Sequence, residues 1–214
     1  LEIPFLVGGF DNTSTEIKSD LAAGLGELGC GYVGRECIGE HITWLQLIDA
    51  DDVPNEGASA WIFVQSDQFE PVSLKTPPDG CLRGLAVSNG SGFEDAVSYA
   101  LESNFDLLLL CANGNPLGAW QELTGPPDLR LMRDVIKMLR ALNKEETIDL
   151  VWYGGVRSGT DAAKLIAMGC KAVVYSMPVA LALGGTITGS TLAFESNYTS
   201  QDRCDGVINI MKAH

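Results

Sequence analysis

Two adjacent glycines, Gly154 and Gly155, stand at the end of a short apolar run and lead directly into Val156 and Arg157. Because glycine has no side chain, the main chain at such a pair can approach a ligand closely. Arg157 can add a charge-assisted hydrogen bond to an anion. A glycine pair alone would indicate only a tight turn between a strand and a helix. Here the pair is followed by R-S-G-x-D, a helical segment ending in M-G-C and a second apolar run, which together predict an anion-binding turn.

A second group of main-chain donors is expected after the next apolar run, at Ser176 and Met177. In parallel barrels that bind phosphorylated ligands, the loops after the last two strands and the start of a short helix converge on one phosphate group. We therefore expect the N–H groups of Ser176 and Met177 to face the same anion as Gly154 and Gly155.

Short apolar runs alternate with helical segments along the chain, a pattern typical of βα units in a parallel sheet. The predicted strands cover residues 3–8, 31–35, 60–65, 82–88, 105–111, 148–153 and 172–175, and the predicted helices cover 15–28, 92–103, 128–143 and 160–168. An eight-stranded barrel typically takes about 250 residues, so either a strand between residues 35 and 60 is missed or the barrel is abbreviated or fragmentary. An open doubly wound sheet is the alternative, but the anion-binding ending favours a parallel (β/α)8 TIM-type barrel, an α/β fold.

The composition fits a single domain, residues 1–214, with one substantial core. Hydrophobic residues make up 46% of the chain and charged residues only 20%, which suits strands covered on both faces by helices. The formal net charge of −14 argues against nonspecific binding to nucleic acid or to an anionic membrane, because both need a surplus of Lys and Arg. A small anion can still bind through backbone N–H groups.

Six cysteines are spread along the chain without a C-x-x-C pair, and the only histidines are His41 and His214. We therefore expect no metal site and a reduced, cytoplasmic protein. No apolar run is long enough to span a membrane. The chain begins in an apolar run without Met, so we expect it to be part of a longer polypeptide.

Several segments carry a resemblance to known flavoproteins. Residues 154–174, GGVRSGTDAAKLIAMGCKAVV, resemble the phosphate-binding end shared by FMN-dependent glutamate synthases, α-hydroxy-acid oxidases and inosine-monophosphate dehydrogenases. Residues 113–131, NGNPLGAWQELTGPPDLRL, are similar to the glutamate synthase segment that runs from a Gly-rich loop through P-L and a Gly-x-Pro turn into a helix. The opening IPFLVGGF and the ALG at residues 182–184 also look like that family. The chain thus resembles the synthase domain of the glutamate synthase family, including relatives of the N-methylglutamate synthase type.

The resemblance implies an FMN cofactor and a flavin-dependent transfer of ammonia or a small amine onto a 2-oxo acid such as 2-oxoglutarate. It also implies partners, in the form of other subunits or domains of a multi-component enzyme. It assigns no catalytic residue. The residues predicted to lie at the flavin are Gly8, Gly9, Gly114, Gly154, Gly155, Val156, Arg157, Ser176 and Met177, and those predicted to lie near the substrate are Arg83 and Asn113.

The sequence departs from the family at several positions. Gly185 stands where glutamate synthases carry the first cysteine ligand of a 3Fe–4S cluster, so no iron–sulfur cluster is expected. Tyr153 replaces the Asp that commonly precedes the glycine pair, and Ala86 lies near the position of the Lys for 2-oxoglutarate. These losses favour a second hypothesis, in which a degenerate barrel that binds FMN or another phosphate compound has a structural or regulatory role.

An α-hydroxy-acid-oxidase-like flavoenzyme is a further alternative, although that chemistry needs a histidine as general base after a late strand. A dehydrogenase of the inosine-monophosphate type needs a nucleophilic cysteine, and Cys111 at a strand end is a weak candidate, since a buried thiol is the better interpretation. Asp11 and Glu36, at the ends of the first two predicted strands, are candidate carboxylates, but solvated loop side chains are the simpler interpretation.

Overall fold

The computed structural model describes residues 3–49, 52–65, 69, 76–90, 92–118, 120–123, 125–194 and 197–214. Within these residues the strands are β1 (Phe5–Gly8), β2 (Gly31–Gly34), β3 (Trp44–Ile48), β4 (Ala60–Val64), β5 (Leu82–Ser88), β6 (Leu107–Cys111), β7 (Asp149–Tyr153), β8 (Cys170–Tyr175), β9 (Gly185–Thr188) and β10 (Thr191–Phe194). The helices are α1 (Thr15–Leu28), α2 (Phe93–Glu102), α3 (Arg130–Ala141), α4 (Gly159–Ala167), α5 (Met177–Ala182) and α6 (Ser200–Lys212), and a 3₁₀ turn covers Gln121–Leu123. No helix in these ranges is long and apolar enough to cross a lipid bilayer.

Strands β1 to β8 form a closed barrel of parallel strands, in which each strand pairs with the next along the chain. The barrel closes because β1 pairs with β2 on one side and with β8 on the other, so that Leu6 lies opposite both Gly31 and Val174. The TIM-type barrel predicted from the sequence is therefore confirmed, and the open doubly wound alternative is wrong. β9 and β10 form a separate antiparallel hairpin after the barrel.

The strand that the sequence pattern did not reveal is β3, which lies between residues 35 and 60. Gln46 interrupts its apolar run, yet this side chain is only 5% exposed. The amide is satisfied locally, since Nε2 donates to the Val53 carbonyl at 3.2 Å and Oε1 accepts from the Asn55 N–H at 2.7 Å. In the described residues, helices follow β1, β5, β6, β7 and β8 but not β2, β3 or β4. The described part of the chain thus contains all eight barrel strands and a helix after five of them.

The first and last helices, α1 and α6, begin or end at residues that are typical helix caps. Ser14 caps α1 by accepting a hydrogen bond from the Ile17 N–H, and Gly29 ends the helix with a left-handed φ of 67°. α6 begins with a capping box, in which the side chains of Thr199 and Asp202 each accept from the other's backbone N–H. These caps fix the starts of α1 and α6, which pack against each other.

Two layers of buried side chains form the core, because neighbouring residues of a strand point to opposite faces. In β6, Leu107, Leu109 and Cys111 pack in the barrel interior, whereas Leu108 and Leu110 pack against the helices. All five side chains are at most 3% exposed. Burial raises the pKa of the Cys111 thiol far above its ordinary value, so this cysteine is a core residue and not a nucleophile.

Helices α1 and α6 approach closely at Gly24, which is buried between them. A Cβ atom on Gly24 would lie 2.8 Å from Cβ of Val207, closer than packed side chains come to one another. Beside this contact, the buried Arg203 guanidinium forms ion pairs with Asp20 at 3.1 Å and with Glu16 at 2.6 Å. The glycine and these ion pairs therefore set the distance between the two helices.

We predict that Gly24→Ala lowers the free energy of unfolding by about 1–3 kcal/mol, because the added methyl group overpacks the contact with Val207. Gly26→Ala in the same helix is the control, since its Cβ would lie 3.7 Å from Ile42, an ordinary contact. The control should raise the free energy of unfolding by about 0.5–1 kcal/mol, as replacing an exposed helical glycine does. Urea denaturation measures both changes, and equal effects of the two substitutions would contradict this packing account.

Candidate functional site

The carboxyl ends of β1, β6, β7 and β8 bring together loops that are far apart in the sequence. β1 is a parallel neighbour of β8, which in turn neighbours β7, and β7 neighbours β6. The loops that follow these strands therefore meet at one end of the barrel, the end at which TIM-type barrels carry their sites. We call this end the mouth of the barrel.

A cavity of about 570 Å³ lies beside the ends of β7 and β8, and we call it the β7–β8 cavity. Its volume is within the range of small-molecule sites. Four of the residues predicted to lie at the flavin are in its wall, and the rest of the wall is mostly apolar. The wall consists of Glu122, Leu123, Gly155, Val156, Arg157, Met177, Pro178, Leu181, Ala182 and Ile210.

The glycine pair makes a sharp turn at the end of β7. Gly154 and Gly155 have left-handed φ values of 119° and 67°, which favour glycine. A Cβ on Gly154 would lie 2.4 Å from Oδ1 of Asn113, and one on Gly155 would lie 2.4 Å from Cγ of Pro127. The turn and its packing therefore require both glycines. Through this turn the chain passes directly from β7 to Arg157 in the cavity wall.

Ser176 follows β8 and is only 1% exposed. Its hydroxyl donates a hydrogen bond to Oε1 of Glu122, which lies in the 3₁₀ turn after β6. The sequence did not predict Glu122 as a site residue. The one signal for it is an acidic side chain in a loop rich in glycine and proline that follows a buried strand. This contact places a carboxylate beside the residues predicted to bind an anion.

A second, much smaller cavity of about 10 Å³ lies at the ends of β6 and β7, with room for about one water molecule. Nδ2 of Asn113 donates to the Gly125 carbonyl at 2.9 Å, while Oδ1 is buried without a partner among the described residues. Glu122 lines both cavities. The wall consists of Cys111, Asn113, Gly114, Pro116, Gly118, Glu122, Tyr153 and Gly154. The predicted residues Asn113 and Gly114 thus line the smaller cavity, which shares Glu122 with the β7–β8 cavity.

Tyr153 occupies the mouth next to the end of β1. Its hydroxyl lies 3.3 Å and 3.2 Å from the positions that Cβ atoms on Gly8 and Gly9 would take. The phenol is buried, and this burial raises its pKa well above the ordinary value, with a smaller contribution from the Glu122 carboxylate. The Cβ position on Gly9 is also 3.4 Å from Cβ of Ser176. Gly8 and Gly9 at the end of β1 are therefore close to Ser176 after β8, and the neutral phenol of Tyr153, the last residue of β7, lies beside the two glycines.

Three aromatic side chains close the mouth, and we call them the aromatic cover: Phe10, Trp120 and Phe194. Phe10 and Trp120 pack edge to face with ring centres 5.0 Å apart, and Phe194 lies 6.2 Å from Trp120. Trp120 has a φ of 51°, which is uncommon for a bulky side chain. Because Phe194 belongs to β10, the hairpin that follows the barrel packs onto its mouth.

A carboxyl group and a phenol pair at the ends of β1 and β2. Oδ1 of Asp11 accepts hydrogen bonds from the Tyr32 hydroxyl at 3.3 Å and from the Arg35 N–H at 2.8 Å. Burial raises the pKa of Asp11 above its ordinary value of 3.8, and these hydrogen bonds only partly oppose the rise. Asp11 is therefore not a solvated carboxylate, which corrects the sequence interpretation. Glu36 is one, since its side chain is 74% exposed and pairs with Lys18 at 3.1 Å.

Arg83 lies at the opposite end of the barrel, near the start of β5, whose carboxyl end is Ser88. Its guanidinium donates to the carbonyl groups of Ser103 and Asn104 and lies 4.8 Å from the ring centre of Phe105. The predicted substrate contact of Arg83 is therefore wrong. The side chain instead holds the turn between α2 and β6.

Neither histidine lines either of the two cavities. His41 is exposed near the start of β3. His214 stacks on Tyr175 with ring centres 4.8 Å apart. In the described ranges, no three or more His, Cys, Asp or Glu side chains are grouped so that they could hold a metal ion. The mouth thus offers carboxyl, hydroxyl, phenol and guanidinium groups for chemistry.

No protein-family profile matches the chain. Over 91 residues the chain is 30% identical to a glutamate synthase large subunit-like protein of Rhizobium meliloti (strain 1021). This alignment covers 41% of the chain and 21% of the relative. The chain therefore matches only about a fifth of that protein's length.

Solved structures of similar fold include a mutant flavocytochrome b2 with pyruvate bound and mandelate oxidase with benzoyl-formic acid. The flavocytochrome b2 structure has a TM-score of 0.63 at 14% identity, covering 100% of this chain and 63% of that one. The mandelate oxidase structure has a TM-score of 0.61 at 13% identity, covering 99% and 70%. At these identities the likeness shows the barrel fold, and the chain spans less than two thirds of flavocytochrome b2.

We predict that Asp11→Asn gains stability relative to the wild type as the pH rises above 3.8, the ordinary pKa of Asp. A raised pKa means that the folded chain binds this proton more tightly than the unfolded chain does. The resulting stabilisation is fully present below pH 3.8 and is lost as the pH rises through the raised pKa. Asparagine keeps the oxygen acceptor for Arg35 and removes the titration.

Urea denaturation of both proteins at a series of pH values measures this difference. Asp79→Asn, in an exposed turn, is the control for the loss of one carboxyl group from the protein. Parallel pH profiles for Asp11→Asn and the wild type would contradict the assignment of a raised pKa to Asp11.

Proposed function

We propose that this chain is an FMN-dependent oxidoreductase domain that holds the phosphate of the flavin in the β7–β8 cavity. The observation that carries the proposal is the convergence of Gly155, Val156, Arg157 and Met177 on one cavity of about 570 Å³. Barrels that bind phosphorylated cofactors use the loops after their last two strands in this way. The proposal extends to the remaining predicted flavin residues, which lie around Glu122 and Tyr153.

The residues of the β7–β8 cavity fit the phosphate end of FMN. Arg157 forms no salt bridge with any described carboxylate, so its charge is available to a phosphate group. At the mouth, the buried Oδ1 of Asn113 has no partner among the described residues and can accept a hydrogen bond from a ligand N–H. The volume of the cavity suits a small phosphorylated molecule.

Bound FMN supplies a ring system that accepts or donates a hydride. The side chains of this chain bind and orient the phosphate at Arg157 and exclude water from the mouth through the aromatic cover. Asp11 retains a proton to a higher pH than an ordinary carboxyl group, because burial raises its pKa. It is therefore the group at the mouth that we propose as a proton donor near the end of β1.

We propose a 2-oxo or 2-hydroxy acid as the substrate class. Pyruvate and benzoyl-formic acid, the compounds named with the two solved structures of similar fold, are both 2-oxo acids. The relative of glutamate synthase type supports the same class. Oxidation of a 2-hydroxy acid needs a general base, and neither histidine lines the cavities. The solved structures of similar fold support oxidation of a 2-hydroxy acid, whereas the relative of glutamate synthase type supports amination of a 2-oxo acid by ammonia or a small amine, with 2-oxoglutarate as the first acid to test.

The chain matches only part of its glutamate synthase-like relative. We therefore propose that other domains or subunits supply the amine and the electrons. A reduced, cytoplasmic setting remains a prediction from the cysteine pattern.

A second candidate is a barrel without flavin that has a structural or regulatory role. The observation that favours it is the filling of the mouth by Tyr153, whose hydroxyl lies beside Gly8 and Gly9, and by the aromatic cover. The two candidates differ in one property that is simple to measure, the presence of a flavin.

We predict that the purified protein shows flavin absorption bands and releases FMN on heating.

Arg157→Ala should weaken FMN binding by about tenfold or more, because a charge-assisted hydrogen bond to the phosphate is lost. Binding of riboflavin, which has no phosphate, should not change. Titration of the apoprotein, followed by quenching of flavin fluorescence, measures both affinities.

Arg140→Ala is the matched control, since Arg140 is exposed on α3 and should leave both affinities as they are in the wild type. A colourless protein that also fails to take up added FMN would contradict the oxidoreductase proposal and support the second candidate. Equal FMN affinity in Arg157→Ala and the wild type would place the phosphate elsewhere.

A further inference from the structure

Glu122 holds a central position between the two cavities. Its side chain lines the β7–β8 cavity on one side and the smaller cavity beside Tyr153 on the other. Its Oε1 accepts the hydroxyl proton of Ser176, whose side chain is buried. While Glu122 accepts this hydrogen bond, Ser176 lines neither cavity. A phosphate group is also a hydrogen-bond acceptor, and it can reach the Ser176 hydroxyl only after the Glu122 side chain moves.

The charges in the wall of the β7–β8 cavity also affect the affinity for a phosphate group. Among the described residues of the wall, Arg157 is the only cation and Glu122 the only anion. With Glu122 ionised, the wall carries no net charge. The phosphate of FMN carries about −1.5 to −2 charges at pH 7, so the Glu122 carboxylate repels it while Arg157 attracts it.

We propose that Glu122 is a specificity-determining residue. It sets how much more weakly the β7–β8 cavity binds a negatively charged, phosphorylated ligand than an unphosphorylated one. The carboxylate occupies the Ser176 hydroxyl and lowers the affinity for a phosphorylated flavin relative to an unphosphorylated one. FMN binds when the Glu122 side chain releases Ser176 and turns away, a movement that rotation about its own bonds provides. This inference rests on the proposed function, since it concerns the same cavity and the same ligand.

The position of Glu122 in the chain supports this role. It lies in a one-turn 3₁₀ helix next to Trp120, whose left-handed backbone and packing against Phe10 fix the start of the turn. The backbone is therefore held in place while the side chain reaches across to β8. Ser176 is 54 positions further along the chain, so this contact joins the loop after β6 to the loop after β8.

The test compares Glu122→Gln with the wild type. Glutamine keeps an oxygen that can accept the Ser176 proton and removes the charge. Titration of the apoproteins with FMN and with riboflavin, followed by quenching of flavin fluorescence, gives two dissociation constants for each protein. We expect FMN to bind about tenfold more tightly to Glu122→Gln, the size expected for one partly screened like charge, and riboflavin to bind equally to both.

Glu94→Gln is the control for loss of one negative charge, since Glu94 is exposed in the first turn of α2 and should leave the ratio of FMN to riboflavin affinity unchanged. Glu122→Ala is the second variant, and it should also raise that ratio. Using a ratio keeps the test valid if a substitution alters the amount of folded protein.

The outcomes separate this inference from the proposed function. Equal ratios in the wild type and in both Glu122 variants, with FMN bound by all three, would overturn the role of Glu122 and leave the FMN site intact. Absence of FMN binding in the wild type and in both variants would overturn the site and the role of Glu122 together. A raised ratio in the Glu122 variants alone supports both.

Discussion

The hydrogen bonds between β1 and β8 close the sheet, and the geometry of the site depends on them. Closure leaves no free edge, so each of the eight strands has two neighbours and its residues alternate between the barrel interior and the helix layer. Closure also brings the chain's first strand beside its last barrel strand. Gly9 after β1 therefore lies next to Ser176 after β8, although most of the chain separates them in sequence. Without this pairing, the residues proposed to bind the flavin would not converge.

Much of the barrel follows from local patterns in the sequence. The seven predicted strands all exist, because continuous apolar runs such as β6 are buried on both faces. β3 was not predicted because Gln46 interrupts its apolar run. The buried Gln46 side chain forms hydrogen bonds with the backbone of Val53 and Asn55 in the following loop. Arg83 lies away from the mouth because the site of a parallel barrel is at the carboxyl ends of its strands. The residue stands second in β5 and therefore lies at the amino end.

The site was predictable only where its residues are close in sequence. Gly155, Val156 and Arg157 form one continuous segment with a glycine-rich pattern, and the structure places all three in the wall of one cavity. Glu122 and Phe194 were not predicted, because each acts through contacts between distant loops. The same limit applies to Asp11, whose burial depends on the packing of Tyr32 and Arg35 around it. Local pattern thus predicts the glycine turn of the proposed phosphate site, while tertiary contacts determine which charged and aromatic side chains surround it.

A crystal structure of the protein grown with FMN would show whether the β7–β8 cavity holds the phosphate of a flavin. We expect electron density for the phosphate within hydrogen-bond distance of Arg157, beside the backbone of Gly155 and Val156, with the Glu122 side chain turned away from Ser176. Density for FMN at any other surface, or a β7–β8 cavity without FMN at saturating ligand, would contradict the proposed site.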